Sequence, residues 1–246
     1  MTGLRSFLTA AAMLCLLAAA ADSAEDPKSK SPPPTTSAEP QKKPPPPPVY
    51  KPPVRGAPRG RVGGGTRGPR DSLLGLYVLA PDHTGLTVRE QPDFYWHLSE
   101  LTPYPIEFTL IEDSAIFPVL EAQIASPAQP GIQRIQLSRY NVRLKDNSEY
   151  RWFVAIVTDA NSRSKDILAG GFIEKVTPSE TLRKRLAQEP ADWAPFLYAE
   201  EGIWYDALAA ISNLIDAAPN DATLRRQRAE LLEQVGLHEV SAEPSR

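Results

Sequence analysis

Few side chains in this sequence are spaced to do chemistry together. The three histidines are scattered: His83 in the turn Pro81-Asp82-His83-Thr84-Gly85, His97 on the polar face of an alternating run, and His238 beyond the last helical pattern. None falls in an HExxH-type arrangement, where two imidazoles one helical turn apart hold a metal. No GxSxG elbow presents a serine nucleophile. A Ser-His-Asp set assembled by the fold stays open, because its members need not be neighbours in sequence. Asp159-Ala160-Asn161 begins like a calcium loop. Arg163 and Lys165 then stand where oxygen ligands or glycine belong, and no bidentate Glu follows, so a hairpin turn is expected. The adjacent carboxylates Glu112 and Asp113 are expected to be solvated at a strand end; a glycosidase pair would need a cleft that raises one pKa. The expectation is a protein with no catalytic residue, no cofactor and no metal site.

That leaves binding. Residues 55–68 set Arg55, Arg59, Arg61 and Arg67 among glycines. Three Arg-Gly steps resemble segments that track nucleic-acid phosphates, but the export signal described below argues against nucleic acid. No strand precedes the glycines and no Lys-Ser/Thr follows them, so a phosphate-cradling loop is not indicated. Two readings stay open: a solvated basic linker, or a tether that touches anionic envelope polymers or lipid head groups. Tyr95 and Tyr104 are expected to be exposed aromatics able to stack on sugars. With His97 and Tyr205, Tyr95 and the four arginines make up the partner-binding candidates.

The elements that would position these residues begin with a targeting segment. The chain has 246 residues, net charge −3, one cysteine and 26 prolines. After Arg5, residues 7–21 are apolar or small except for Thr9. Fifteen residues are too few for a spanning helix, which needs about 20. Ala19-Ala20-Ala21 fits small-residue cleavage, so 1–21 reads as a secretory signal, with cleavage after Ala24 the alternative. Cys15 lies inside that apolar run, so the mature chain has no thiol and no disulfide. A periplasmic or secreted bacterial protein is expected, without a transmembrane segment in its mature form.

Thirteen of the 26 prolines fall between 27 and 58. Residues 22–54 therefore read as a disordered, stiff tether of polyproline II character, followed by the Arg/Gly-rich motif at 55–70. Residues 25–70 carry five Lys and five Arg against three acids, net +7. Residues 1–24 balance at zero, which leaves −10 for the rest.

From residue 71 short alternating runs appear. Phe94, Trp96 and Leu98 alternate with Tyr95 and His97; Ile106, Phe108 and Leu110 with Glu107 and Thr109; Leu120, Ala122 and Ile124 with Glu121 and Gln123. Period two with one polar face predicts half-buried strands. Further strands are predicted at 73–79, 86–90, 132–137 and 167–176. Residues 150–158 are apolar on both faces and suit a central strand. About eight strands in 71–177 predict an immunoglobulin-like antiparallel β-sandwich, with Trp96 and Trp152 between its sheets and Pro118 at an edge or a bulge.

A helical tail is predicted over 178–238, ahead of a disordered end at 239–246. Thr177-Pro178-Ser179-Glu180 reads as a capping box with proline at the first helical position. Helices follow from 178 to near 190, from about 192 to 201, from about 204 to 217, and from about 221 to 236. Tyr198, Gly202, Trp204, Ala207, Ile211 and Pro219 fall at the spacings of a tetratricopeptide hairpin, although Pro195 replaces that repeat's small residue. A single such hairpin cannot bury its own apolar face. It must dock on the β body or take a partner helix.

These stretches together resemble a known family, the secreted bacterial "domain of unknown function 928" proteins. The residues that carry the resemblance are Gly56-Ala57-Pro58, RVGGGTRG at 61–68, Gly85-Leu86-Thr87, Tyr150-Arg151-Trp152, Gly171-Phe172-Ile173, Tyr198-Ala199-Glu200, GIWYDAL at 202–208, Ala229-Glu230-Leu231-Leu232 and Val235-Gly236-Leu237. They span about 55–237. Members often carry a cysteine after the glycine motif and another after the Trp-containing strand; residues 68–71 and 157–159 have none. The resemblance implies no known activity, cofactor or ligand, and it makes the glycine motif an ordered part of the domain. The resulting expectation is an exported, non-enzymatic adaptor that engages an envelope protein. The alternative is a sandwich that binds a glycan or another small ligand.

Overall fold

Alternating apolar runs become strands and 3,4-spaced runs become helices along most of the chain. The computed structural model describes residues 45–53, 60–63, 65–66 and 74–241. These all lie in one compact unit, Pro44–Arg246. The strands are β1 (Val62–Gly63), β2 (Gly65–Thr66), β3 (Gly75–Val78), β4 (Gly85–Thr87), β5 (Asp93–Leu98), β6 (Ile106–Glu112), β7 (Leu120–Ile124), β8 (Gly131–Gln136), β9 (Glu149–Ile156) and β10 (Ile167–Lys175). The helices are α1 (Glu180–Gln188), α2 (Ala194–Glu200), α3 (Trp204–Ala217), α4 (Ala222–Glu233) and α5 (His238–Ser241). No described helix is long and apolar enough to cross a membrane.

The strands form two sheets. One runs β1-β10-β9-β6-β7, with β4 beside β10; the other runs β2-β3-β5-β8. Strand β9 is central, flanked by β10 and β6, as its two apolar faces predict. The sheets face one another across an aromatic core, with Phe94 of β5 within 4.9 Å of Trp152 and 5.3 Å of Phe108, ring centre to ring centre. One expectation is corrected: β4 pairs with β10 in parallel, Ile173 opposite Gly85. Alternation has the same period in both strand directions, so it does not encode direction.

The glycine motif contributes β1 and β2, which join different sheets. Gly63 takes φ +69°, and a Cβ there would lie 1.9 Å from the Leu168 carbonyl oxygen. Only glycine fits this edge pairing.

The proposed cap of α1 is also corrected. Ser179, not Thr177, caps the helix: its Oγ accepts from the Leu182 N–H at 3.0 Å, and helical residues begin at Glu180. Pro178 therefore lies before the helix. At α4, Asp221 accepts from the Thr223 and Leu224 N–H groups. Residues 238–241, partly inside the expected disordered end, form α5 with Val240 buried. Residues 242–246, and the signal at 1–21, lie outside the described residues.

The proline tether ends sooner than expected. Residues 45–53 form a strap against the helices, with Pro48 and Tyr50 buried. The Tyr50 N–H donates to Gln234 Oε1 at 2.8 Å, Gln234 Nε2 donates to the Pro48 carbonyl at 3.0 Å, and the Lys51 N–H donates to the Ala199 carbonyl at 3.0 Å. The Tyr50 ring meets Trp204 edge-on at 5.0 Å. Proline composition predicts disorder because prolines bring little apolar area and no N–H; here a single tyrosine supplies the area and the residues around it supply the bonds. Gly202, at φ +74°, accommodates the strap, since a Cβ there would lie 2.6 Å from the Lys51 carbonyl oxygen. Tyr50→Ala is expected to lower stability by about 3 kcal/mol, read as a lower urea midpoint with an unchanged slope.

Candidate functional site

Helix α3 opens with Trp204, Tyr205 and Asp206, and each has a fixed polar partner in the β body. Trp204 Nε1 donates to the Leu79 carbonyl at 2.9 Å. The Tyr205 hydroxyl accepts from Trp152 Nε1 at 2.7 Å and donates to the Phe172 carbonyl at 2.9 Å. Asp206 Oδ2 accepts from Thr87 Oγ1 at 2.7 Å and the Val88 N–H at 3.0 Å, and Oδ1 lies 3.1 Å from Arg89 Nε. Burial pushes the Asp206 carboxyl above the usual carboxylate range, opposed by Thr87, Arg89 and Val88. These residues clamp the helical layer to the sheets.

Three of the expected binding residues belong to this interior. Tyr95, His97 and Tyr205 are only 3%, 2% and 1% exposed. This corrects their placement as surface contacts. Strand β5 has no solvated face, because α3 lies over its outer side. Arg134, opposite Tyr95 in the register, bonds to Asn213 at 3.0 Å and pairs with Asp216 at 3.1 Å, both on α3. Sugar stacking on Tyr95 therefore has no surface to use, whereas Tyr104 is exposed.

Arg61 is held as well. Its guanidinium donates to the Val235 and Gly236 carbonyls at 3.0 and 3.3 Å, just past the end of α4, where cations are favoured. Arg55, Arg59 and Arg67 lie outside the described residues. His83 sits between the Tyr50 hydroxyl at 2.9 Å and the Asp82 carboxylate at 3.3 Å, so it serves the strap. Asp159 makes the expected turn: Oδ1 accepts from the Asn161 N–H and Oδ2 pairs with Lys165.

The exposed apolar surface lies elsewhere. Residues 113–119 join β6 to β7, closed by the Val119 N–H donating to the Leu110 carbonyl at 2.8 Å. At this tip Ile116 is 87% exposed and Phe117 79%, the highest values for large hydrophobic side chains among the described residues. The base is fixed by two ion pairs, Lys145–Glu112 at 2.8 Å and Arg151–Asp113 at 3.3 Å. The two carboxylates expected to be solvated thus brace the hairpin. A rigid base presenting two large apolar side chains is a feature of docking sites.

The family model described as Domain of Unknown Function (DUF928) matches residues 62–245. This chain belongs to that family. No curated protein matches it. Of the stretches that carry the family resemblance, GIWYDAL supplies the strap glycine and all three α3 clamps, and RVGGGTRG supplies Arg61 and the paired glycine edge. In this member those motifs act inside the fold. Sequence reasoning missed Ile116 and Phe117, whose only signal was two adjacent large apolar residues in a turn with no alternating partners.

Proposed function

We propose that this protein is an exported, non-enzymatic interaction protein that docks an envelope protein through the β6–β7 tip. In this reading the two sheets form an immunoglobulin-like body. Helices α2 and α3 form a tetratricopeptide-like hairpin whose apolar face is turned inward, so the hairpin stiffens the body and leaves recognition to the tip. The signal-like N-terminus supports the periplasmic or secreted placement. The single observation that carries the docking reading is the exposure of Ile116 and Phe117 on an ion-paired base.

The test places a photo-crosslinking residue at Phe117, with a control at exposed Leu168 of β10, in cells that export the full chain. The reading expects one recurrent protein adduct from position 117 and none from 168. Equal adduct patterns at the two positions, or no protein adduct at 117, would overturn it. The double variant Ile116→Ser with Phe117→Ser is expected to abolish the adduct formed from a neighbouring position. Its effect on stability should stay within about 0.5 kcal/mol, as for exposed sites, checked by urea denaturation.

A further inference from the structure

The glycine motif bridges the two sheets on one side, through β1 and β2, whereas the opposite side ends in the edges of β7 and β8. Among the described strands β7 pairs only with β6. Its outer edge therefore offers a row of N–H and C=O groups. Natural edge strands are blunted by lysine, proline, a bulge or very short length. Strand β7 reads Leu120-Glu121-Ala122-Gln123-Ile124, five residues with no lysine or proline, and it pairs with β6 residue for residue, without a bulge. Beside this edge stands the tip, with Ile116, Phe117 and Val119 exposed. An open edge next to exposed apolar side chains suits the addition of a partner strand.

We propose that the partner docked at the tip is a second copy of this chain, joined through an antiparallel pairing of β7 with β7 about a two-fold axis at Ala122. This rests on the reading of the tip as a docking site and names its occupant. The side chains of β7 select that partner. Leu120, Ala122 and Ile124 are half-buried opposite Leu110, Phe108 and Ile106, while Glu121 and Gln123 are exposed. The two-fold places Leu120 opposite Ile124 of the second copy, and Glu121 opposite Gln123. Apolar meets apolar on the inner face, and a carboxylate meets an amide donor on the outer face. Neighbouring registers are worse. A shift of one residue sets inward side chains against outward ones. An axis at Glu121 sets two carboxylates directly opposite each other. The same two-fold carries the tip of each copy towards residues 125–128 of the other, where Ala125 and Ala128 are exposed. The pair is isologous and closed, so each β7 edge is covered and the sheet does not propagate.

Cysteine pairing tests the register in the full chain, with Cys15, its only thiol, changed to Ser. Glu121→Cys and Gln123→Cys are at exposed positions and leave the inner face untouched. Mixed under mild oxidation, the two variants are expected to form a disulfide between 121 of one copy and 123 of the other. Each variant alone is expected to form little, because like positions then lie on a diagonal of about 7–8 Å, beyond the reach of a relaxed disulfide. Self-association of the full chain is followed by analytical ultracentrifugation, and the unaltered chain is expected to dimerise. Gln123→Glu sets like charges opposite at two symmetric places and is expected to weaken the dimer about tenfold. Adding Glu121→Lys restores opposite charges and is expected to recover it.

A chain that stays monomeric up to millimolar concentration overturns the self-pairing. So does a mixture of the cysteine variants that crosslinks no better than either alone, or a Gln123→Glu dimer as tight as the unaltered one. The photo-crosslink at Phe117 keeps this inference apart from the docking reading on which it rests. An adduct between two copies of this chain is expected. A recurrent adduct with a different protein overturns the self-pairing and leaves tip docking standing, and no protein adduct overturns both.

Discussion

Asp206→Leu is expected to cost about 3 kcal/mol, because it takes the acceptor from the Thr87 hydroxyl and the Val88 N–H under α3. The leucine would leave the Thr87 hydroxyl, the Val88 N–H and the Arg89 guanidinium facing an apolar side chain. Asp206→Asn keeps an acceptor for Thr87 and Val88 and is expected to be milder. The pH dependence separates charge from shape. Burial raises the carboxyl's folded pKa above its unfolded value near 4. The folded state therefore holds the proton more tightly than the unfolded chain. The stability this contributes is complete below pH 4 and is lost as pH rises through the folded pKa. The wild type's advantage over Asp206→Asn should thus shrink as pH rises from 4, as read from paired urea curves. An advantage that instead grows over that window would mean that the Arg89 pairing outweighs burial.

The second large effect is expected at Tyr205. Truncation to alanine opens a cavity beside Phe94 and Trp152 and should cost about 5 kcal/mol, at the upper end for buried aromatics. Tyr205→Phe isolates the hydroxyl. It keeps the ring but leaves the Trp152 N–H without its acceptor and takes one donor from the Phe172 carbonyl, at a cost of about 2 kcal/mol. Pairing Tyr205→Phe with Trp152→Phe removes donor and acceptor together. The double variant is expected to lose less than the sum of the singles, because the tryptophan donor is then no longer stranded. Strict additivity in thermal or urea unfolding would show that the bond contributes nothing beyond packing.

The pattern of what could be read from the sequence follows the range of the interactions. Strands such as β6 and β9 and helix α3 are local in origin, and spacing alone places them, with ends that differ by up to two residues. The burial of Tyr95 and His97 was not legible, because β5 alternates like a half-exposed strand. What covers its outer face is α3, more than a hundred residues later. The docking of residues 45–53 was hidden for a related reason: Tyr50 is one apolar residue in a proline run, and its partners Gln234, Ala199 and Trp204 are remote in sequence. In the sequence Asp206 is a single polar residue within the helical run at 204–217, and nothing local signals that Arg89 and Thr87 meet it. The tip was visible as residues but not as a surface, because exposure depends on what the rest of the chain leaves uncovered.

Native-state hydrogen exchange of the full chain tests most directly whether the helical layer is an integral part of the core. Amides of α3 and of β9 should exchange only through global unfolding, with the same free energy and the same denaturant dependence. If α3 and α4 instead opened at a markedly lower free energy while β9 stayed protected, the helical layer would be a separable module. Its inner face would then be available to a partner, which contradicts a helical layer clamped to the sheets by Trp204, Tyr205 and Asp206.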